Sequence, residues 1–498
     1  MPTKYKKIAI ASIIFLIIFS VMQFTVPNII GFDGYYHIKT ADIIKQEGFI
    51  KEFPWANHTI LSDNYADIQI LFRILLMPFT FFGLTLGAKI ASILFSTIAF
   101  VIFYWFLTEN KIKYAFFWSL LYLFTSANLM NRFLLPRQMP LVIALLILTI
   151  YFLQRKKYLF LGITSLIFVL LHSSFVFQLL IIILFFVLEK IFSKKFEYRI
   201  LLYPSIGVIL GLVINPYFPN NIFMLYTQIF KVNLIANLFN FEWKPWTFFE
   251  FVKNNILVLF YISISILVLI KNKKITKTQT FYFSLTLFFF FYTLISRRMQ
   301  EYLIPFSILL TAFLLNNYIE RFDRNKFFNN YHGNRRFPGH RKSTIFACFK
   351  ISAVLILIII AVTNLILLRE DIKNNDFLYN FDNCAEWMKN NIPKNSLIFT
   401  NAYAFPYLFS KNSDLIYTHG IDLTYSYLYN PKEFERYMEI LQGTLKDDTD
   451  YIIKDYNPDY VFSGKVKQDV QLFNYITGHK ENYKAVYEDE WCAVLEVK

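Results

Sequence analysis

Long apolar runs parted by short polar stretches set the pattern of this chain. A helix crosses the hydrocarbon core with roughly 17–25 apolar residues. The first such run extends from Ile8 to Val26, behind Lys4, Lys6 and Lys7. It reads as an uncleaved first helix with a cytoplasmic N-terminus, because no small-residue cleavage site follows. Further spans are expected from near Leu86, Lys113, Met139, Tyr158, Phe175, Arg199, Asn255, Thr278, Tyr302 and Phe346, eleven in all. The stretch Ile68–Gly83 is shorter and holds Arg73 and Pro78, so it reads as an interfacial or re-entrant helix.

The polar stretches alternate in charge. Glu109–Lys113, Arg155–Lys157, Lys190–Arg199, Lys271–Lys277 and Arg321–Lys342 are rich in Lys and Arg and are expected in the cytoplasm. Asn128–Met139, His172–Ser174, Asn215–Lys253, Ser296–Glu301 and the chain beyond Arg369 alternate with them and are expected outside. Two domains follow: a transmembrane part over residues 1–368, whose first external loop is 27–83, and an external soluble α/β domain over 369–498. In the tail, Cys384–Asn391, Phe434–Leu441 and Asp448–Asp455 read as helices, and Ser396–Thr400, Tyr460–Phe462, Tyr483–Tyr487 and Ala493–Val497 as strands. The expected fold is a polytopic α-helical membrane protein with an external α/β domain.

Composition agrees. Of the 498 residues 56% are hydrophobic and 17% charged, against about 45–50% and about 25% in soluble chains. An ordinary soluble enzyme is nearly excluded. The net charge of +15 divides unevenly. Residues 369–498 hold 14 Lys+Arg against 21 Asp+Glu, or −7, which leaves +22 for the rest. The positive charge lies in short loops and not on one folded face, so it signals topology and no nucleic-acid partner. Of three cysteines, Cys348 lies in an apolar run, leaving Cys384 and Cys492 to cross-link in an oxidising compartment.

Candidate chemistry gathers at the external ends of the spans. Asp33 follows the first helix closely and can act as a general base or as the cap of a helix over Gly34–Gln46. Asp63 and Asp67, four apart, share a face if that stretch is helical. With His37 they can hold Mg²⁺ or Mn²⁺, or simply form an acidic helix start. Arg132, Arg137, Arg297 and Arg298 run against the positive-inside bias, so they are candidates for a phosphate group or for lipid headgroups. Tyr36, His172, Glu301 and Tyr302 complete the candidate pocket, and Glu242 is the acid of the aromatic Asn215–Lys253 loop placed to reach it.

The segment Phe32-Asp33-Gly34-Tyr35-Tyr36-His37-Ile38-Lys39-Thr40-Ala41 resembles the first-loop motif of oligosaccharyltransferase catalytic subunits, which are GT-C glycosyltransferases. The stretch Ala385-Glu386-Trp387, with Asn391-Ile392-Pro393-Lys394-Asn395-Ser396, is similar to the same enzymes. Eleven spans and an interfacial helix look more like the protein O-mannosyltransferase and aminoarabinose-transferase branch. No Trp-Trp-Asp-Tyr-Gly follows Ser396, and no Asp-x-Asp lies in Asn128–Met139. The resemblance implies an enzyme in the cell membrane that moves a sugar from a polyprenyl-phosphate-linked donor to a glycan, lipid or protein acceptor on the external face. It gives Asp33 a part in binding the metal and activating the acceptor; by position His37, Asp67 and Glu242 join it as catalytic candidates, and Asp67 is the candidate second metal ligand. The competing classes are a lipid-linked-sugar flippase and a non-catalytic assembly subunit.

Overall fold

A computed structural model describes residues 2–232, 241–272, 274–331, 339–375, 378–467 and 469–498. The middle of the Asn215–Lys253 loop and of the basic Arg321–Lys342 stretch lies outside these residues. Each of the eleven expected spans falls on a helix. Among the described residues, seven helices are long and apolar enough to cross a membrane. Ala127–Leu134 and Met139–Gln154 pass that test together, bent by 103° at the loop that carries Pro136 and Arg137. The remaining three, Ala115–Phe124, Tyr158–Leu171 and Arg199–Ile214, are shorter than a full span. Ile70–Leu76 continues as a 3₁₀ turn over Met77–Phe82, matching the short interfacial helix read from the sequence. The protein is a multi-pass membrane protein.

Two of the short helices show how this bundle packs. Lipid tails are as apolar as leucine, so helices in a membrane associate through close backbone approach. Gly207 and Gly211 lie one turn apart on Arg199–Ile214. A Cβ on Gly207 would come within 2.1 Å of the Gly162 carbonyl oxygen on Tyr158–Leu171. The helix near Asn255 begins earlier than expected, at Phe248, because Thr247 and Glu250 form a capping box.

The tail folds as a five-stranded sheet with helices. Its strands are β1 (Leu397–Phe399), β2 (Ile416–Tyr417), β3 (Tyr460–Gly464), β4 (Tyr483–Glu488) and β5 (Cys492–Val497), in the order β2-β1-β3-β5-β4. β1 pairs in parallel with β2 and β3, and β5 is antiparallel to β3 and β4. Helices Asp382–Asn391 and Pro431–Gln442 lie where expected. Asp448–Asp455 does not form a helix; only a turn over Ile452–Tyr456 does, since the Asp447 and Asp450 side chains accept nearby backbone amides instead. β2 and the helices Phe405–Lys411, Leu423–Tyr429 and Val470–Gly478 carried no signal strong enough to read.

This domain seats on the loop between the first two long apolar helices. The Asn57 and His58 amides donate to the Tyr417 and Thr418 carbonyls, both at 2.9 Å, and so cover the free edge of β2. Trp55 Nε1 donates to the Ser413 carbonyl at 2.6 Å. Phe53, Trp55, Phe405 and Phe409 pack ring against ring across the same seam.

Cys384 and Cys492 form a disulfide, with Cα atoms 6.5 Å apart and a sequence separation of 108. A closed loop of that order restricts the unfolded chain by about 4–5 kcal/mol in the chain-entropy account. Cys384→Ser should therefore lower the unfolding temperature of the C-terminal domain sharply. Thermal melts with and without reductant check this, and a variant melting like the oxidised wild type refutes it.

Candidate active site

Glycines bring the acid of the first loop to its partner. Gly31 takes φ +73°, a conformation that L side chains rarely adopt, and a Cβ there would strike Leu135. A Cβ on Gly34 would lie 2.7 Å from Pro136 Cγ. The Gly31–Gly34 corner therefore lies directly against Leu135-Pro136-Arg137. Ser92 and Ser96 anchor the other side of this contact by donating to the Leu134 and Phe133 carbonyls. Asp33 thereby ion-pairs with Arg137 Nη2. The expected cap is a correction: Asp33 is the first residue of the helix Asp33–Glu47, Phe32 precedes it, and no side chain caps that end.

Two charge networks surround this pair. Arg132 joins Glu301 through Nε and Glu242 through Nη1, and Arg137 Nη1 lies 3.4 Å from Glu242. On the far side Asp67 accepts from Arg73 Nε at 2.9 Å, the Gln69 amide at 2.7 Å and Tyr65 at 3.1 Å. The Arg73 guanidinium also reaches His37 Nδ1 and covers the Tyr36 ring at 4.9 Å. Arginine has only donors, so His37 Nδ1 accepts. Asp63 is exposed, and residues 61–69 are not helical, so the shared Asp63–Asp67 face does not form.

The networks border one cavity of about 850 Å³. Of the residues expected at the site, Asp33, Tyr36, His37, Asp67, Arg137, His172, Glu242, Arg298 and Tyr302 line it. Arg132 and Glu301 stand behind the wall. Arg297 also lies off the cavity, paired to Glu250 at 2.7 Å and stacked on Trp246 at 4.7 Å. Arg298 lies over the Trp243 ring at 5.3 Å and has no ion pair among the described residues. From the C-terminal domain come Asn401, Tyr403, Asp422, Thr424 and Tyr425, which sequence reading missed. Nothing in the tail's hydropathy distinguishes them from other loop residues.

Burial and charge set the protonation states. Burial pushes the Asp33 carboxyl up, against the pull of Arg137. Burial would also raise Glu242, but Arg132, Arg137 and Arg298 hold it well below the carboxylate range. Burial, helped by Arg298 and Arg137, lowers His172 to about 3. The Ser174 amide donates to its Nδ1 at 3.0 Å, which assigns the proton to Nε2. Among the described residues the one cluster of three His, Cys, Asp or Glu side chains at metal-binding distances is Cys384, Asp489 and Cys492, two of which are disulfide-bonded.

No protein-family model and no curated protein matches the sequence. Solved structures do match the fold. The apo oligosaccharyltransferase of Archaeoglobus fulgidus aligns over 95% of this chain and 73% of its own, with TM-score 0.63 and 11% identity. ArnT from Cupriavidus metallidurans, bound to undecaprenyl phosphate, aligns over 97% of both chains, with TM-score 0.57 and 12% identity. The chain has the GT-C fold. The archaeal oligosaccharyltransferase has also been solved in complex with an inhibitory peptide and a dolichol-phosphate, and with Zn and sulfate. Those GT-C relatives share the polytopic helical part and its C-terminal domain with this chain.

Two outcomes follow from this arrangement. Arg132 and Glu301 are 9% and 5% exposed, and leaving one partner of a buried pair alone costs about 3–5 kcal/mol. Arg132→Met should destabilise the protein by that order, and adding Glu301→Leu should recover part of the loss. Melting in detergent measures both, and a double variant as unstable as the single one refutes the pairing. The histidines give a pH dependence. His37, His172 and His419 are held neutral below their ordinary 6.5, first by burial. The unfolded chain then binds more protons than the folded one, so stability falls as pH drops below 6.5, for His172 down to about 3. His172→Asn should flatten that slope in melts between pH 7 and 4.

Proposed function

We propose that this chain is a membrane glycosyltransferase that takes a sugar from a polyprenyl-phosphate-linked donor and passes it to an acceptor at the external face. The observation that carries the reading is the pairing inside the cavity. The cavity holds a half-buried carboxylate, Asp33, and on the same cavity surface Arg298 presents a guanidinium in no ion pair among the described residues. That is the charge complement of glycosyl transfer from a phosphate. The acceptor hydroxyl oxygen attacks the anomeric carbon and gives its proton to Asp33. The bond from that carbon to the phosphate oxygen breaks, and the phosphate leaves with the electron pair. Arg298 stabilises the charge that develops there, and the raised basicity of Asp33 suits it to the proton. Neutral His172 turns an Nε2–H donor to the same cavity. The likeness to proteins that hold dolichol-phosphate and undecaprenyl phosphate supports a lipid-linked donor.

The external assignment rests on the alternation of loop charge and on the Cys384–Cys492 disulfide, which persists in oxidising compartments. We divide the chain near residue 369 into a transmembrane domain and the external α/β domain, which roofs the cavity. Mg²⁺ or Mn²⁺ is the cofactor that the family resemblance implies, with Asp33 and Asp67 as its ligands. The donor set does not fit such an ion. Each of these carboxylates gives an oxygen to a guanidinium, and His37 Nδ1 is taken by Arg73. Arg73, Arg137 and Arg298 supply the positive charge instead, and no step is routed through a metal.

Removing a guanidinium from a phosphate forfeits a charge-assisted bond, a class worth about 1.5–3 kcal/mol. Arg298→Ala should weaken binding of undecaprenyl phosphate by about 10- to 150-fold at little cost in stability. Asp33→Asn should leave carrier binding in place and lower transfer by about 10²–10⁴-fold, because Glu242 still compensates Arg137. Carrier titrations and radiolabelled-sugar transfer in nanodiscs measure both. Wild-type behaviour in both variants would overturn the assignment.

A further inference from the structure

The cavity has two differently charged walls, and the second one bears on the acceptor. This step rests on the glycosyl-transfer reading above. Every arginine on the cavity surface, Arg73, Arg137 and Arg298, comes from the transmembrane part or the first loop. Among the described residues from 371 onward, no lysine, arginine or histidine lines the cavity. That wall offers Asp371, Asn401, Tyr403, Asp422, Thr424 and Tyr425.

Asp422 differs from the acids of the membrane part and first loop. Asp33, Asp67 and Glu242 each hold an arginine. Asp422 is in no ion pair among the described residues. Its Oδ1 accepts the Thr424 amide at 3.0 Å and so caps the helix Leu423–Tyr429, which fixes the carboxylate at the cavity edge. The Tyr425 hydroxyl donates to Gln228 at 2.6 Å and braces the same corner against the membrane part. Burial raises the Asp422 carboxyl, and the charge of Arg298 partly opposes this across the cavity.

We propose that the acceptor docks on this C-terminal wall as an uncharged, hydroxyl-rich sugar moiety, and that Asp422 orients it by accepting hydrogen bonds from its hydroxyls. A fixed carboxylate beside an amide and aromatic rings is the surface that polyhydroxyl groups satisfy: the carboxylate accepts two hydroxyls, and the rings cover the apolar sugar face. An acceptor presenting phosphate, sulfate or a uronate would meet Asp422 and Asp371 with like charge. The anionic leaving group and the neutral acceptor are thereby sorted to opposite walls. Asp422 is a specificity residue here, and proton transfer stays with Asp33.

The test supplies a radiolabelled polyprenyl-phosphate hexose to the full-length protein in nanodiscs, together with glycan and lipid extract of the source membrane. The labelled product is fractionated by anion exchange. Label in the uncharged glycan fraction is expected. Label confined to anionic products, or donor hydrolysis with label in no acceptor, overturns the proposal. Absence of any donor turnover by the wild type overturns the glycosyl-transfer reading instead. Asp422→Asn preserves the helix cap and should raise the acceptor KM by about 10- to 150-fold, the range for a hydrogen bond to a charged group. Asp422→Glu should restore much of it, and the Kd for undecaprenyl phosphate should match wild type in both. An unaltered acceptor KM in Asp422→Asn overturns the role of this residue.

Discussion

Charge buried at the edge of an apolar bundle must be neutralised where it stands, and the region around the cavity is organised by that demand. Withdrawing one ion from water costs several kcal/mol even after relaxation. The chain meets this with guanidinium–carboxylate contacts between segments far apart in sequence. Arg137 meets Asp33 across 104 positions, and Arg132 meets Glu301 across 169. Such contacts set where the helix Asp33–Glu47 begins relative to the bent pair Ala127–Leu134 and Met139–Gln154. Gly31 and Gly34 are the steric condition, since a Cβ at either would hold the two segments apart.

The C-terminal domain depends on the same first loop. Its edge strand β2 would expose backbone donors and acceptors, and Asn57 and His58 occupy them. His58 also bonds Glu433 at 2.7 Å, joining the loop to the helix Pro431–Gln442. One loop thus carries Asp33 and His37 on its inner side and holds the domain that supplies Asp422 and Tyr425. Floor and roof of the cavity are fixed to a common part. That common anchor suits the transfer proposed above, because donors and bases aimed at developing charge act without reorganising.

Much of this was legible in the sequence, for identifiable reasons. Spans were legible because a membrane demands uninterrupted apolar length, and Met139, Tyr158, Phe175 and Arg199 open helices at the expected residue. The cavity acids and arginines stood out because charge at the external end of a span needs a cause. Partners were not legible. Asp33 looked equally like a cap or a base, and only the backbone decides against the cap, by placing Asp33 inside the helix behind Phe32. Asp63 and Asp67 looked like a helical pair because spacing alone carries no backbone conformation. Asp422 and Tyr403 were invisible, since the strands and short helices that carry them reach the cavity only through the docking of a whole domain.

Adjacent residues show the limit of pattern most sharply. Arg297 and Arg298 are equivalent in any reading of loop charge. They lie in a 3₁₀ turn over Arg297–Met299, where three residues complete a turn and successive side chains diverge by about 120°. The Arg297 amide donates to the Lys244 carbonyl at 3.2 Å, which ties the turn to the aromatic loop. Arg297 is then spent on Glu250, Pro245 and Trp246 and locks that loop in place. Arg298 is turned to Trp243 and the cavity, and no described carboxylate neutralises it. The four arginines therefore divide by partner and not by position: Arg132 and Arg297 are consumed in holding walls, Arg137 is shared between a wall and Asp33, and Arg298 faces the cavity with no ion pair among the described residues.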